Sequence, residues 1–131
     1  MQEPDKALAR HVLVVDDHVD SGEVFAAILE EAGHHVVLVH DGERALKAMM
    51  EETFDIAFID VGLPVLDGYE VVRRARTHLG ERTPALVATT GYARVSDCED
   101  AARAGFDVHL AKPVAPSALL AAVAASRKQS R

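Results

Sequence analysis

Short runs of aliphatic residues recur along the chain, separated by longer stretches of mixed character. Each run has four residues, is rich in β-branched side chains and lacks regular polar alternation. The runs lie at residues 12–15, 36–39, 56–59, 85–88 and 108–111. Because a strand with one face in water alternates apolar and polar positions, these runs predict five strands that are buried on both faces.

The stretches between the runs carry apolar residues three and four positions apart, which is the spacing of one face of a helix. Three such stripes are Phe25, Ile28, Leu29 and Ala32, then Leu46, Met49 and Met50, then Val72, Ala75 and Leu79. We expect these residues to pack into a core rather than to contact a cofactor. Gly33 and Gly105 stand where a helix ends and a strand begins, and Asp41 is a candidate N-cap.

Strands that alternate with helices indicate right-handed βαβ crossovers and a parallel sheet covered on both faces, which is the doubly wound α/β class. The 131 residues, 49% of them hydrophobic, suffice for one core and are too few for two ordinary domains. We expect a folded domain over residues 11–126, a flexible leader at 1–10 and a frayed tail at 127–131.

Charge and cysteine content narrow the classes of function. The 21 acidic residues against 14 basic ones give a net charge of -7, which argues against nucleic acid as a partner. The basic cluster Arg127, Lys128 and Arg131 is interpreted as a solvated end rather than a binding arm. Cys98 is the one cysteine, so we expect no internal disulfide and a passive thiol in a reducing cytoplasm. There is no signal peptide and no stretch near the roughly 20 apolar residues that span a bilayer, so we expect no membrane contact.

Polar residues follow four of the five predicted strands, at the edge of the sheet where doubly wound proteins bind ligands. Strand one is followed by Asp16 and Asp17, strand three by Asp60, strand four by Thr89 and Thr90, and strand five by Lys112. Strand two, followed by residues 40–41, offers no comparable group beyond a cap. The strand ends therefore hold the candidate site.

Three of these residues are carboxylates. If the strand order is 2-1-3-4-5, strands one and three are neighbours, and Asp16, Asp17 and Asp60 lie together. Their mutual repulsion then favours a hard divalent cation, with Mg²⁺ as the first candidate. The alternative is that Asp16 and Asp17 cap the first helix. The presence of Asp60 at the neighbouring strand end favours the metal site.

A carboxylate can also attack phosphorus, which makes Asp60 the candidate nucleophile. A backbone carbonyl near Gly62 is suited to complete the metal shell. Phosphoryl transfer needs a fixed cation, which Lys112 can supply, although a solvated surface lysine is the alternative. Thr89 and Thr90 each offer a hydroxyl to a phosphoryl oxygen, or a turn cap, and periodicity does not decide between them.

These residues together resemble the receiver domains of bacterial response regulators, from about residue 12 to residue 126. The matching segments, in the order and spacing of the family, are VVDDH at 14–18, IDVGLPVLDG at 59–68, ATTGY at 88–92 and AKP at 111–113. The resemblance implies a flavodoxin-like fold with strand order 2-1-3-4-5. It also implies a cis peptide bond between Lys112 and Pro113.

By the same resemblance, Asp60 is the phosphoacceptor. Thr90 rather than Thr89 is the switch hydroxyl, because Thr90 precedes the small residue Gly91, and Lys112 pairs with the phosphoryl group. The implied ligands of Mg²⁺ are Asp16, Asp17, Asp60 and the Gly62 carbonyl.

The implied phosphodonor is a phosphohistidine on a sensor histidine kinase or a histidine phosphotransfer protein, with small acyl phosphates as substitutes. The domain is then a phosphoacceptor that assists its own phosphorylation and dephosphorylation rather than an enzyme. Phosphorylation is expected to change the surface of the fourth helix, the fifth strand and the last helix. An output protein, or a second copy of the chain in a dimer, reads that change. Residues 105–114 resemble receivers attached to hybrid sensor kinases.

Two positions depart from the family pattern. His109 stands where a tyrosine or phenylalanine switch is usual, and the alternative is an exposed strand residue without a switch role. Ala115 precedes Pro116 where a capping aspartate or serine is expected, so the last helix has no side-chain cap. The other histidines are expected at the surface or at caps; they are His11, His18, His34, His35, His40 and His78.

Two other classes of function remain to be weighed. A magnesium-dependent phosphatase with an aspartate nucleophile would place two aspartates two residues apart after the first strand, whereas Asp16 and Asp17 are adjacent, and no cap domain is visible. A nucleotide or flavin carrier needs a phosphate-binding loop after strand one, which residues 18–22 do not provide. Three acids in the crevice would also repel a phosphate without a metal.

Overall fold

The computed structural model describes residues 9–91 and 102–126. All five predicted strands are present, with helices between the first four strands and after the fifth, which confirms the doubly wound α/β class. The elements are β1 (His11–Val15), α1 (Val19–Glu31), β2 (His35–Val39), α2 (Gly42–Glu51), β3 (Ile56–Asp60), α3 (Gly68–Leu79), a 3₁₀ turn (Gly80–Arg82), β4 (Ala85–Thr90), β5 (Val108–Ala111) and the C-terminal helix (Pro116–Ala125). Within the described ranges, no helix is long and apolar enough to cross a membrane.

The strands form one parallel sheet in the order β2-β1-β3-β4-β5, which confirms the predicted order. The register pairs Val15 with Ile59, so the residues that follow β1 meet the last residue of β3. It also pairs Asp60 with Thr89. Because every strand runs in the same direction, all carboxyl ends lie at one edge of the sheet.

The core has two layers, one on each face of the sheet. On one face, α2 and α3 cover the sheet, and Met49 and Val72 are buried against Leu13 and Ile59. On the other face, α1 and the C-terminal helix contribute Leu29, Leu119 and Val123. β1 and β3 are buried throughout because they lie inside the sheet with helices on both sides.

Burial of the outer strands and of some stripe residues differs from the prediction. β2 and β5 are only partly buried, because each is an edge strand with one neighbour. Met50 is 48% exposed, and Ala32 is an exposed C-cap, so neither belongs to the core. His11 was expected at the surface or at a cap, but it is buried at the start of β1.

The helix ends follow the sequence signals closely. Gly33 has φ 97° and its amide bonds the Glu30 carbonyl, while the next amide reaches back to Leu29, so α1 ends as the glycine predicted. Gly105 likewise has φ 116° before β5. Asp41 accepts a hydrogen bond from the Arg44 amide at 2.8 Å, which confirms it as the N-cap of α2. Cys98 and the basic tail lie outside the described residues.

Candidate functional site

Three carboxylates meet at the carboxyl edge of the sheet. Asp16 follows β1, Asp60 ends the neighbouring strand β3, and both are buried, with 3% and 7% exposure. Oxygens of Asp16, Asp17 and Asp60 and a ring nitrogen of His18 all lie within 4.8 Å of one another. The structure therefore brings together the three aspartates that the sequence singled out, and adds a histidine that it did not.

Asp16 is held by the start of α1. Its Oδ1 accepts a hydrogen bond from the His18 amide at 2.9 Å, and its Oδ2 accepts one from the Ser21 hydroxyl at 2.5 Å. Lys112 Nζ lies 3.3 Å from the same Oδ2. Burial by itself raises the pKa of Asp16, but the hydroxyl, the amide and the ammonium outweigh burial and hold that pKa below its usual value of 3.8.

Neither aspartate caps the first helix in the expected way. The N-cap of α1 is His18, and no side chain makes a capping hydrogen bond there. Asp16 instead forms a local turn with the His18 amide while its other oxygen faces Lys112. The capping alternative therefore does not account for the pair.

Asp60 is bonded on both of its oxygens. Oδ1 accepts a hydrogen bond from the Gly62 amide at 2.8 Å, and Oδ2 lies 2.9 Å from Lys112 Nζ. The Gly62 amide thus orients the carboxylate from the loop that follows β3. A carboxylate fixed in this way at a strand end has the geometry of a positioned nucleophile.

Lys112 is not a solvated surface lysine. Its side chain is 23% exposed, and its ammonium bridges Asp60 and Asp16. Burial lowers the pKa of Lys112, but the hydrogen bond and charge of Asp60, together with the charge of Asp16, raise it above 10.5 overall. The Lys112–Pro113 peptide bond is cis, as the resemblance implied. Lys112 therefore supplies a permanent positive charge beside Asp60.

The acidic cluster fits a hard divalent cation. Asp17 Oδ1 is buried and accepts no hydrogen bond within the described part of the chain. This carboxylate oxygen is therefore available to coordinate a cation. His18 Nδ1 lies 3.3 Å from that oxygen, but its ring is 73% exposed. Carboxylate oxygens beside retained water are the donors that Mg²⁺ prefers. The donor set matches Mg²⁺ better than a soft metal.

The predicted switch residues lie at the neighbouring strand ends. Thr89 and Thr90 are both buried, and Thr90 pairs in register with Ala111, the residue before Lys112. The Thr90 carbonyl accepts a hydrogen bond from the Lys112 amide at 2.7 Å. His109 is half-buried in β5. The choice of Thr90 over Thr89 and the role of His109 stay predictions.

Gly68 is a site residue that sequence reasoning did not single out. A Cβ at this position would lie 2.7 Å from the Asp60 carbonyl oxygen and 2.7 Å from the Val61 Cα. Only glycine therefore lets the start of α3 approach the end of β3 so closely. The sequence offered a signal, because aspartate is a preferred N-cap residue and Asp67 would place Gly68 at the first position of a helix. In the structure the Asp67 side chain accepts a hydrogen bond from the Glu70 amide and caps α3.

Comparison with known proteins decides the family. Residues 12–124 match the response regulator receiver domain family. This chain belongs to that family. It is therefore a receiver domain of two-component phosphorelay signalling, which confirms the predicted resemblance and argues against the phosphatase and the nucleotide carrier.

Receiver domains similar to this one occur in different contexts. The chain is 37% identical over 110 residues to an uncharacterised 14.6 kDa protein in the sodA1 3′ region of Leptolyngbya boryana, and the match covers 83% of each chain. It is 32% identical over 114 residues to the sensor protein GacS of Pseudomonas syringae pv. syringae, but this match spans only 13% of GacS. The receiver therefore resembles both a small protein and one part of a long sensor.

A solved receiver gives the structural comparison. The receiver domain of sensor histidine kinase PA1611 from Pseudomonas aeruginosa PAO1 superposes with a TM-score of 0.80 at 32% identity, covering 88% of this chain and 94% of that one. That structure was solved with a magnesium ion coordinated in its active site cleft.

Proposed function

We propose that Asp60 accepts a phosphoryl group from a phosphohistidine on a sensor histidine kinase or a histidine phosphotransfer protein. The observation that carries this proposal is the double anchoring of Asp60, by the Gly62 amide on one oxygen and the Lys112 ammonium on the other. A similar receiver with magnesium in its cleft supports Mg²⁺ as the cofactor. The proposed ligands are Asp16, Asp17, Asp60 and the Gly62 carbonyl.

In the proposed transfer, one bond to phosphorus forms while another breaks. A carboxylate oxygen of Asp60 forms a bond to phosphorus while the phosphorus–nitrogen bond to the donor imidazole breaks, and the imidazole, which carries a proton on its other nitrogen, leaves with the electron pair as the neutral ring. Lys112, already in contact with Asp60, stabilises the negative charge on the transferred group. Bound Mg²⁺ supplies further charge neutralisation. Thr90 is proposed to donate its hydroxyl to a phosphoryl oxygen.

The phosphodonor protein is proposed to dock beside Lys112. A groove of mainly apolar lining lies there between α1 and the chain after β5, bordered by Ser21, Val24, Phe25, Lys112, Pro113 and Val114. Val24 is 57% exposed, and Val19 on the same helix is 50% exposed. A partner that covers this groove would bring its phosphohistidine to the same edge of the sheet as Asp60.

Several finer points are part of the same proposal. The domain assists its own dephosphorylation, since a water molecule can attack the acyl phosphate at the same charged site. An output protein, or a second copy of the chain, reads the phosphorylated form through the surface that includes His109. The folded receiver extends over residues 11–126, with residues 1–10 and 127–131 as flanking segments.

The phosphoacceptor is tested by intact mass after incubation with acetyl phosphate, with and without Mg²⁺. Wild type is expected to gain one phosphate only with Mg²⁺, and Asp60→Asn is expected to gain none. Asp41→Asn, which changes the aspartate that caps α2 outside the acidic cluster, serves as the matched control and should be phosphorylated normally. Phosphate on Asp60→Asn would overturn the assignment, and steady release of phosphate from phosphorylated metabolites would favour an enzyme.

A further inference from the structure

A second group of titratable residues lies at the amino-terminal end of the sheet, opposite the acidic cluster. His11 begins β1 and His35 begins β2, and the register pairs them directly. Their rings meet edge to face with centroids 4.9 Å apart. His34 precedes β2 in the same corner of the molecule. None of these residues takes part in phosphoryl transfer, so this cluster is unused by the proposed function.

Arg10 connects three elements at this corner. Its amide donates a hydrogen bond to His34 Nδ1 at 3.0 Å, and its carbonyl accepts one from the His35 amide at 2.9 Å. Its guanidinium Nε lies 3.4 Å from the carbonyl of Ser126, the C-cap of the C-terminal helix. Arg10 therefore joins the chain before β1 to the turn before β2 and to the end of the last helix.

The bond from Arg10 to His34 exists only while the imidazole is neutral. Nδ1 accepts a hydrogen bond through its lone pair, and a proton on Nδ1 removes that lone pair and turns the nitrogen into a donor facing another donor. Protonation also adds a positive charge beside the Arg10 guanidinium. Burial and, to a lesser extent, the Arg10 charge lower the pKa of His34 below 6.5.

Among the described residues, no carboxylate forms an ion pair with His34, whereas one lies close to His11. His11 Nε2 lies 3.4 Å from Glu52 Oε1, so a proton on His11 meets a carboxylate. Asp55 Oδ2 is engaged by the His11 amide at 2.7 Å. In the part of the chain that the structure describes, the other charged or titratable groups of the corner are Arg10, His35 and the two glutamates that end α1.

We propose that His34 is a proton-operated latch: the neutral imidazole accepts the Arg10 amide, and protonation opens the latch by breaking this hydrogen bond, while the Arg10 carbonyl keeps its bond to the His35 amide. The latch lies at the edge of the sheet opposite Asp60, and it operates without metal or phosphate.

The direction of the pH dependence follows from linkage. A base with a lowered pKa in the closed state binds more protons when the latch is open, so opening becomes easier as the pH falls. The contribution of the neutral imidazole to closure is complete above pH 6.5, the ordinary pKa of histidine, and is lost progressively as the pH falls below that value. The equilibrium for opening rises by up to about tenfold for each unit by which the closed-state pKa lies below the open one.

The test is amide hydrogen exchange of Arg10 by NMR in metal-free, unphosphorylated protein at pH 7.5 and pH 5.0. The observed rate, divided by the intrinsic rate at each pH, should rise at pH 5.0 in wild type. His34→Asn should abolish the rise, because Asn Oδ1 takes the place of Nδ1 and accepts a hydrogen bond at both pH values. His78→Asn is the matched control on the exposed part of α3, and should behave as wild type.

Two results would overturn the latch. One is an equal rise in His34→Asn, which would assign the effect to another group such as His11 with Glu52. The other is no rise in wild type while the His34 carbon resonances show the ring titrating. His34→Gln, which also accepts without titrating, provides a second variant if the asparagine protein does not give the wild-type pattern of amide signals. Because the readout involves neither Mg²⁺ nor phosphate, its failure leaves the phosphoacceptor assignment untouched.

Discussion

At the scale of single residues, Asp17 is the least satisfied member of the acidic cluster. Its buried Oδ1 accepts no hydrogen bond from any residue in ranges 9–91 and 102–126, whereas both oxygens of Asp16 and of Asp60 are bonded. Lys112 supplies one positive charge beside these three carboxylates. The metal-free protein therefore carries unfavourable charge that a bound cation would remove.

Replacing Asp17 with asparagine is expected to separate stability from metal binding. Asp17→Asn removes one negative charge, so the free energy of unfolding without metal should rise by about 1 kcal/mol. Mg²⁺ at 100 times its dissociation constant should stabilise wild type by about 2.7 kcal/mol and should leave the variant unchanged. Urea unfolding with and without Mg²⁺ measures both, and Asp20→Asn, on the exposed part of α1, should match wild type. An equal Mg²⁺ effect in Asp17→Asn would contradict the proposed ligand.

The two threonines at the end of β4 can be distinguished by one comparison. Thr90→Ala is expected to leave phosphorylation of Asp60 detectable by mass but to abolish the chemical-shift changes that phosphorylation causes in β5. Thr89→Ala should retain those changes, because the resemblance gives the switch hydroxyl to Thr90. The opposite pattern would move the switch to Thr89, which the register places beside Asp60.

The residues that carry charge could be predicted, while those that orient them could not. Asp16, Asp60 and Lys112 stand at or directly after the carboxyl ends of strands, so the topology brings them together. The Ser21 hydroxyl on Asp16 and the nearby His18 ring depend on where α1 begins, to within one residue. Sequence patterns locate helix ends less sharply than that.

At the scale of elements, the C-terminal helix begins without a side-chain cap, as the sequence predicted. Ala115 occupies the N-cap with extended backbone angles, and Pro116 follows it. Serine in that conformation can accept a hydrogen bond from the amide two or three residues on. We expect Ala115→Ser to raise the free energy of unfolding by about 1 kcal/mol in urea. Asp41→Ala should lower it by about the same amount, since Asp41 already caps α2. A decrease with Ala115→Ser would contradict the prediction.

The existence and order of the elements were predictable, but the burial of the outer ones was not. An apolar run of four residues has the same sequence pattern in an inner strand such as β3 and in an edge strand such as β2. Only the strand order distinguishes them, and that order came from the family resemblance. Met50 shows the same limit for helices, because a stripe two residues wide does not indicate which residue faces the sheet.

At the scale of the whole molecule, the ion pairs of Lys112 make stability depend on pH. The pKa of Lys112 is raised in the folded state. Its contribution to the free energy of unfolding is therefore complete below pH 10.5 and is lost as the pH rises through the folded-state pKa. The pKa of Asp16 is lowered in the folded state. Its contribution to the free energy of unfolding is therefore complete above pH 3.8 and is lost as the pH falls through the folded-state pKa.

Removing the Lys112 ammonium should change how the free energy of unfolding depends on pH. Lys112→Met is expected to lower the free energy of unfolding at pH 7 by about 2 kcal/mol, because two buried carboxylates lose their cation. The alkaline loss above pH 10.5 should become smaller in this variant, while Lys47→Met, at an exposed position of α2, should keep it. Urea unfolding across the pH range measures the profile. An unchanged alkaline limb in Lys112→Met would show that other groups cause it.

The proposed phosphorylation site is assembled from distant parts of the chain. Lys112 lies 96 positions from Asp16 and 52 from Asp60, although its ammonium contacts both carboxylates. Contacts of such long sequence separation form slowly, because loop closure must precede them. A refolding chain should therefore regain helical signal before it regains reactivity toward acetyl phosphate. Brief pulses of acetyl phosphate during refolding would then label only molecules in which β5 has joined the sheet. The labelled fraction at each time would measure how many molecules have completed folding.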